Sequence, residues 1–159
     1  MTSLSSTEPP WAPLAFLVGT WEGEGGGVPG EGRGAFTFAP DLQERILVRT
    51  SYAEYPATTT QAAFRHDDLL VVYSEPEGGA LRAVYFDNEG HVIHYAVATP
   101  DPRTVAFVGD PTAPGPRFRL TYVASDADRV ELTFDIAPPG APDAFAPYIT
   151  SRARRSSRR

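Results

Sequence analysis

The chain has 159 residues, 42% hydrophobic and 11% aromatic, with 14 basic side chains against 20 acidic ones and a formal net charge of −6. That length suits one domain with a sizeable core, and the acidic balance argues against nucleic acid as the main partner. No apolar run approaches the roughly 20 residues that a membrane-crossing helix needs, and the absence of cysteine excludes disulfides and thiolate metal ligands.

Met1 to Pro10 lacks basic residues and an apolar stretch, so it does not read as a signal peptide, and residues 1–12 are expected to form a flexible segment. Together with the missing cysteines this gives the expectation of a bacterial-style cytoplasmic protein. Pro13 to Val18 suits one or two helical turns, limited by prolines at 9, 10 and 13. From there on the sequence breaks into short alternating runs separated by Gly, Pro, Asp and Asn. Strands are predicted over Thr20–Gly25, Gly34–Ala39, Glu44–Tyr55, Gln61–His66, Leu69–Tyr73 and Leu81–Phe86. They continue over His91–Ala98, Thr104–Gly109, Arg117–Ala124, Val130–Ile136 and Pro147–Arg154, about ten or eleven in all. Residues 13–155 form one domain, and 156–159 a solvated basic tail.

Two hairpins stand out. In Val84 to Ile93, Asp87 suits the first position of a type I turn and Gly90 the left-handed position of a bulge. That register puts Arg82, Val84 and Phe86 with Val92, His94 and Ala96 on one face, and Leu81, Ala83 and Tyr85 with Ile93, Tyr95 and Val97 on the other. Both faces are largely apolar, so one is expected to line a cavity and the other to meet a second copy of the chain. The second hairpin turns at Ser125-Asp126-Ala127-Asp128, with Phe118, Leu120, Tyr122, Val130, Leu132, Phe134 and Ile136 on one apolar side.

The opening Leu17-Val18-Gly19-Thr20-Trp21-Glu22-Gly23-Glu24-Gly25 resembles the first strand of calycin-type barrels. It is similar both to nitrobindin-type haem barrels and to an uncharacterised set of bacterial lipocalin-like proteins. Arg65-His66-Asp67-Asp68 and Tyr85 to Tyr95 look more like the second set. The resemblance implies an all-β, antiparallel, up-and-down barrel of about ten strands, lipocalin- or fatty-acid-binding-protein-like, plugged by Trp21 under an arginine of the last strand. Arg152 or Arg154 would fill that role by a cation–π contact. A β-sandwich is the alternative fold. The nitrobindin side implies haem held by a histidine near the last strand. Here that strand has none, the histidines standing at 66, 91 and 94, which leaves Tyr148 as the haem ligand to consider.

The expected function is a binding protein for a small apolar or amphipathic molecule, with Tyr52, Arg82, Tyr85, Phe86, His94 and Tyr122 as ligand-contacting residues and no resident cofactor or metal. The alternative is a haem barrel acting on peroxynitrite or nitric oxide. Barrels of this kind hold an anionic head group with inward arginines and tyrosines, so Arg49 and Arg119 join the candidates. Alternation, however, sets Arg49 opposite in sense to Ile46, Val48 and Tyr52, and Arg119 opposite to Phe118 and Leu120, so both face solvent if the apolar sides line the interior. His66, Asp67 and Asp68 are sequence neighbours and cannot all reach one metal ion. No Gly-x-Ser-x-Gly nucleophile elbow is present, and the glycines after Trp21 lack the lysine and following helix of a phosphate loop.

Overall fold

Short runs of β-branched and aromatic residues, each ended by a turn-forming residue, favour antiparallel pairing between sequence neighbours. The computed structural model describes residues 8–24 and 32–157. Its strands are β1 (Gly19–Gly23), β2 (Arg33–Asp41), β3 (Ile46–Tyr55), β4 (Phe64–Ser74) and β5 (Leu81–Asp87), then β6 (Val92–Asp101), β7 (Thr104–Gly109), β8 (Arg117–Asp126), β9 (Arg129–Ala137) and β10 (Ala146–Arg155). Each pairs antiparallel with its neighbour and β1 pairs with β10, so the sheet closes on itself as a ten-stranded barrel. Closure leaves no bare edge. The shape is that of a calycin-type barrel in general. No helix among the described residues is long and apolar enough to cross a membrane.

The segments expected as two strands, Gln61–His66 and Leu69–Tyr73, are one strand, β4, which begins at Phe64. The Asp67-Asp68 pair reads as a break in sequence, but each carboxylate has a partner, one on the same strand and one across the sheet. Asp67 faces out and accepts from Arg65 Nε at 2.8 Å, while Asp68 faces in and pairs with Arg49. Gly25, the last residue of the first predicted strand, lies with residues 26–31 outside the described residues.

One end of the barrel is plugged. A 3-10 helix, Ala12–Leu17, lays Leu14 and Leu17 into the core. The packed segment reaches back to Trp11, which is buried and donates its indole N–H to the Glu44 carbonyl at 3.0 Å. Trp21 is buried beside it, donating to the Leu17 carbonyl at 2.9 Å. An arginine does cover Trp21, but it is Arg155, with its guanidinium 4.3 Å from the ring centre. The reason is parity. Arg155 is directly opposite Trp21 and shares its inward face, whereas Arg154 is opposite Glu22 and Arg152 opposite Glu131 on the outer face. Arg155 also donates from Nη1 to the Val18 carbonyl at 2.7 Å and from Nη2 to the Phe16 carbonyl at 3.2 Å. Gly19 is glycine for two reasons: its φ is +126°, and a Cβ there would stand 2.5 Å from Arg155 Nη1.

Candidate functional site

Directly opposed residues share a face, so the ladder registers decide which side chains look into the lumen. Trp21 is opposite Phe36, Phe38 opposite Arg49, Arg49 opposite Leu70, and Leu70 opposite Tyr85. On the other wall Leu120 is opposite Phe134 and Tyr122 opposite Leu132. Near the plug the lumen is filled: Phe38, Leu47, Val72, Val105 and Phe107 are fully buried. Tyr122 sits at the top of this layer, edge-on to Phe36 and Phe38, each with ring centres 5.5 Å away. Toward the opposite end the inward side chains remain accessible. Phe36, Phe118, Leu132 and Phe134 are half-buried, and Phe64 and Ile149, on the lumen side at the rim, are 41% and 44% exposed.

Between the filled and the accessible halves lies a polar layer. Arg49 is only 4% exposed. Its Nη1 donates to the Tyr122 hydroxyl and its Nη2 to Asp68 Oδ1. A cation tolerates this depth because it is both ion-paired and hydrogen-bonded. Burial alone would weaken the charge, but Tyr122 and Asp68 outweigh it and hold the guanidinium above its ordinary pKa. Arg49 Nε has no hydrogen-bond partner among the described residues.

The layer runs on to the rim through His66 and Tyr85. His66 Nε2 lies 3.5 Å from Asp68 Oδ2 and 3.1 Å from the Tyr85 hydroxyl, and His66 Nδ1 lies 2.9 Å from Glu89 Oε2. The Tyr85 hydroxyl donates to Asp87 Oδ2 at 3.0 Å, and His91 Nδ1 contacts the same oxygen at 2.8 Å. Burial, reinforced by the Asp68 and Asp87 charges, pushes the Tyr85 phenol above its usual range. Burial does the same to Tyr122 against the opposing pull of Arg49. Both phenols are therefore protonated, Tyr85 donating to Asp87 and Tyr122 accepting from Arg49. Burial tends to raise the Asp87 carboxyl, but the His91 amide and ring, the Tyr85 hydroxyl and the Glu89 amide prevail and hold it below its ordinary value.

The turn at 87–91 has the expected geometry, with Gly90 at φ +92° and Asp87 facing His91. The 81–98 hairpin has the expected register, and its inward face is the one with Ala83, Tyr85, Ile93 and Tyr95. Of the six residues expected to meet a ligand, Tyr85 and Tyr122 point into the lumen. The other four stand on the outer wall, where a lumenal ligand would not meet them. Tyr52 lies under the Arg65 guanidinium at 4.4 Å, Arg82 pairs with Glu75 at 3.0 Å, Phe86 is 42% exposed, and His94 is exposed opposite Val84. Arg49, expected in solvent if the apolar residues of its strand turned inward, is inside. Leu47 and Arg49 form the lumen row of β3, and Ile46, Val48 and Tyr52 the outer row. Arg119 is on the outer wall, bonded to Asp135 at 3.1 Å.

A haem would need an axial ligand aimed into the lumen, and the ligands considered from the sequence do not fit. Tyr148 is exposed at the rim beside Phe134. His94 is outside, and both ring nitrogens of the inward His66 are engaged by Glu89 and Tyr85. Asp67 and Asp68 point to opposite sides of β4, as their adjacency requires. The ligand atoms that do converge, within 4.8 Å of one another, belong to His66, Asp87 and Glu89. The sequence holds no local signal for His66 and Asp68 as lumen residues. Their meeting with Arg49 depends on the β3–β4 register. Compared with models of known families and with curated proteins, the chain matches none.

Proposed function

We propose that the protein binds a small apolar or amphipathic molecule in the upper lumen, without catalysing a reaction on it. The observation that carries this is the row of inward-facing apolar side chains that remain accessible above a filled floor, with Phe64 and Ile149 at the rim still 41% and 44% exposed. Inward residues of a barrel packed shut by its own side chains would be dry, as those near Trp21 are. The apolar part of the ligand lies against Phe118, Leu132 and Phe134, and its polar end reaches Asp68, Tyr85 and His66. A concave apolar wall with a few placed polar groups is the usual form of a small-molecule site. Because the chain has no cysteine, it needs no oxidising compartment to fold, which suits a cytoplasmic setting.

The test is a titration with the neutral fluorophore N-phenylnaphthylamine. Saturable enhancement at one probe per chain is expected, lost in Leu132→Asp on the lumen wall and kept in Val92→Asp on the outer wall. No saturable signal, or binding that survives Leu132→Asp in a folded protein, overturns the proposal. Added hemin is expected to give no Soret band, since Tyr148 is exposed at the rim, His94 is on the outer wall and both ring nitrogens of His66 are engaged.

A second copy of the chain belongs to the same reading. The outer faces of β3 to β6 carry a continuous apolar stripe, Val48, Val71, Val84, Leu69, Phe86 and Val92, cross-strand neighbours of one another. Phe86 and Val92 are 42% and 57% exposed. A symmetric pairing over this stripe removes it from water. Sedimentation is expected to show a dimer that Phe86→Glu dissociates; a monomer at tens of micromolar, about the affinity of a weak specific interface, refutes it.

A further inference from the structure

Given a lumenal ligand, as proposed above, the polar layer defines what its polar end can be. We infer that the lumen takes amphiphiles whose polar end donates hydrogen bonds, alcohols or amines, and rejects carboxylates, with Asp68 as the residue that sets this preference.

An inward arginine beside a tyrosine looks at first like a carboxylate clamp. The charge at this depth is already balanced, however, because Asp68 pairs directly with Arg49, and both side chains are largely withdrawn from water, at 9% and 5% exposure. A ligand carboxylate brought to Arg49 would place a second negative charge against Asp68 with no second arginine in this layer to meet it. A buried ion without a partner is strongly disfavoured. The groups on the way in make this worse. Asp87 and Glu89 stand beside His66 and Tyr85 at the same side of the mouth. Arg65, the nearest other guanidinium in β4, is on the outer face, engaged with Asp67 and Glu54. Among the described residues Arg49 is the one arginine of this layer against Asp68, Asp87 and Glu89, and His66, between Asp68 and Glu89, is the other group there able to carry a positive charge.

The hydrogen-bond directions agree with the charges. Asp68 Oδ1 is taken by Arg49, but Asp68 Oδ2 accepts no hydrogen bond among the described residues, with His66 Nε2 3.5 Å away. The Tyr85 hydroxyl gives its hydrogen to Asp87 and accepts from His66 Nε2 at 3.1 Å, so it has no hydrogen left for a ligand. The ionised Asp68 oxygen is an acceptor. A hydroxyl or ammonium group satisfies it; a carboxylate, which has acceptors alone, does not.

The experiment is displacement of bound N-phenylnaphthylamine by decanol, decylamine and decanoate, matched in chain length, at about pH 8, where the acid is ionised and the amine protonated. Decanol and decylamine are expected to displace the probe at least ~10-fold more effectively than decanoate, the scale of one charge-assisted hydrogen bond lost. The two favoured arms separate an alcohol from an amine as the better polar end. Asp68→Asn keeps an acceptor oxygen for Arg49 and removes the balancing charge. It is expected to strengthen decanoate by about the same factor and to weaken decylamine. If that variant does not fold, a pH series on the unmodified protein serves instead: decanoate should bind more tightly as falling pH neutralises it, while decanol stays level. Decanoate that competes as well as decanol, or a decanoate-to-decanol ratio that neither Asp68→Asn nor pH moves, overturns the inference and leaves lumenal binding standing. If the probe itself shows no saturable site, lumenal binding falls and this inference with it.

Discussion

Arg155→Ala removes a guanidinium stacked 4.3 Å over Trp21 and the donors to two backbone carbonyls, Val18 and Phe16, that lead into β1. A cation–π contact of this kind contributes about 0.5–2 kcal/mol. Hydrogen bonds from a charged donor contribute about 1.5–3 kcal/mol each when buried. The Arg155 side chain is 33% exposed, so water replaces part of the lost bonding in the variant, and a total near the low end, about 3 kcal/mol, is the reasonable expectation. For a chain of this length each kcal/mol moves the midpoint by about 2–4 °C, giving a drop of about 6–12 °C. Thermal unfolding followed by circular dichroism measures it, with Arg152→Ala and Arg154→Ala as controls. Those two, on the outer face, are expected to stay within about 0.5 kcal/mol of wild type. Arg155→Lys should fall between, because an ammonium cannot stack and reach two carbonyls at once. The reasoning is refuted if Arg155→Ala melts with the wild type or if Arg154→Ala is equally damaging.

The Arg49–Asp68 pair is expected to behave as a unit. Asp68→Ala strands a buried cation and should cost about 3–5 kcal/mol in urea unfolding, whereas Arg49→Met combined with Asp68→Leu should recover most of that loss; purely additive effects would show that the two side chains do not depend on each other. Asp87 contributes to the acid limb. Its folded carboxyl lies below the ordinary value, so its stabilisation is present above the unfolded range, about 3.9, and is lost as pH falls through the lower folded value. The stability gap between wild type and Asp87→Asn should therefore be open at neutral pH and narrow below about pH 4. A gap that stays constant into acid would rule out the hydrogen-bonded carboxylate as its source.

The closed barrel was legible in the sequence because its hairpins carry their own instructions. Asp87 accepts from the Glu89 and His91 amides and Gly90 takes the positive φ, so the 81–98 register follows from five adjacent residues. Trp21 and an arginine over it were legible as a pair, but choosing among Arg152, Arg154 and Arg155 required the β1–β10 register, which joins the two ends of the domain. The polar layer was the least legible part. In β3 the outer row, Ile46, Val48 and Tyr52, is as apolar as the inner one, so alternation set Arg49 opposite to that row correctly but could not say which row faces the lumen. The ambiguity has one cause: the outer wall of β3 to β6 is itself apolar. The same ambiguity placed Arg82, Phe86 and His94 among the expected ligand contacts. Asp67-Asp68 looked like a break between strands because, although Arg65 lies two residues before Asp67, nothing local shows that Asp68 will find Arg49.

The seam between β1 and β10 also sets a timetable. Arg155 meets the Val18 carbonyl across 137 positions of sequence. As the chain emerges from the ribosome, β2 to β9 can pair with neighbours already made, but β1 has its second partner only when the tenth strand is out. Until then the sheet is an open ribbon with two bare edges, the state most prone to join another chain. Such long-range closure makes folding slow relative to a protein of local contacts. Anything that delays or removes the last ten residues of the barrel therefore acts on its solubility as well as on its final stability.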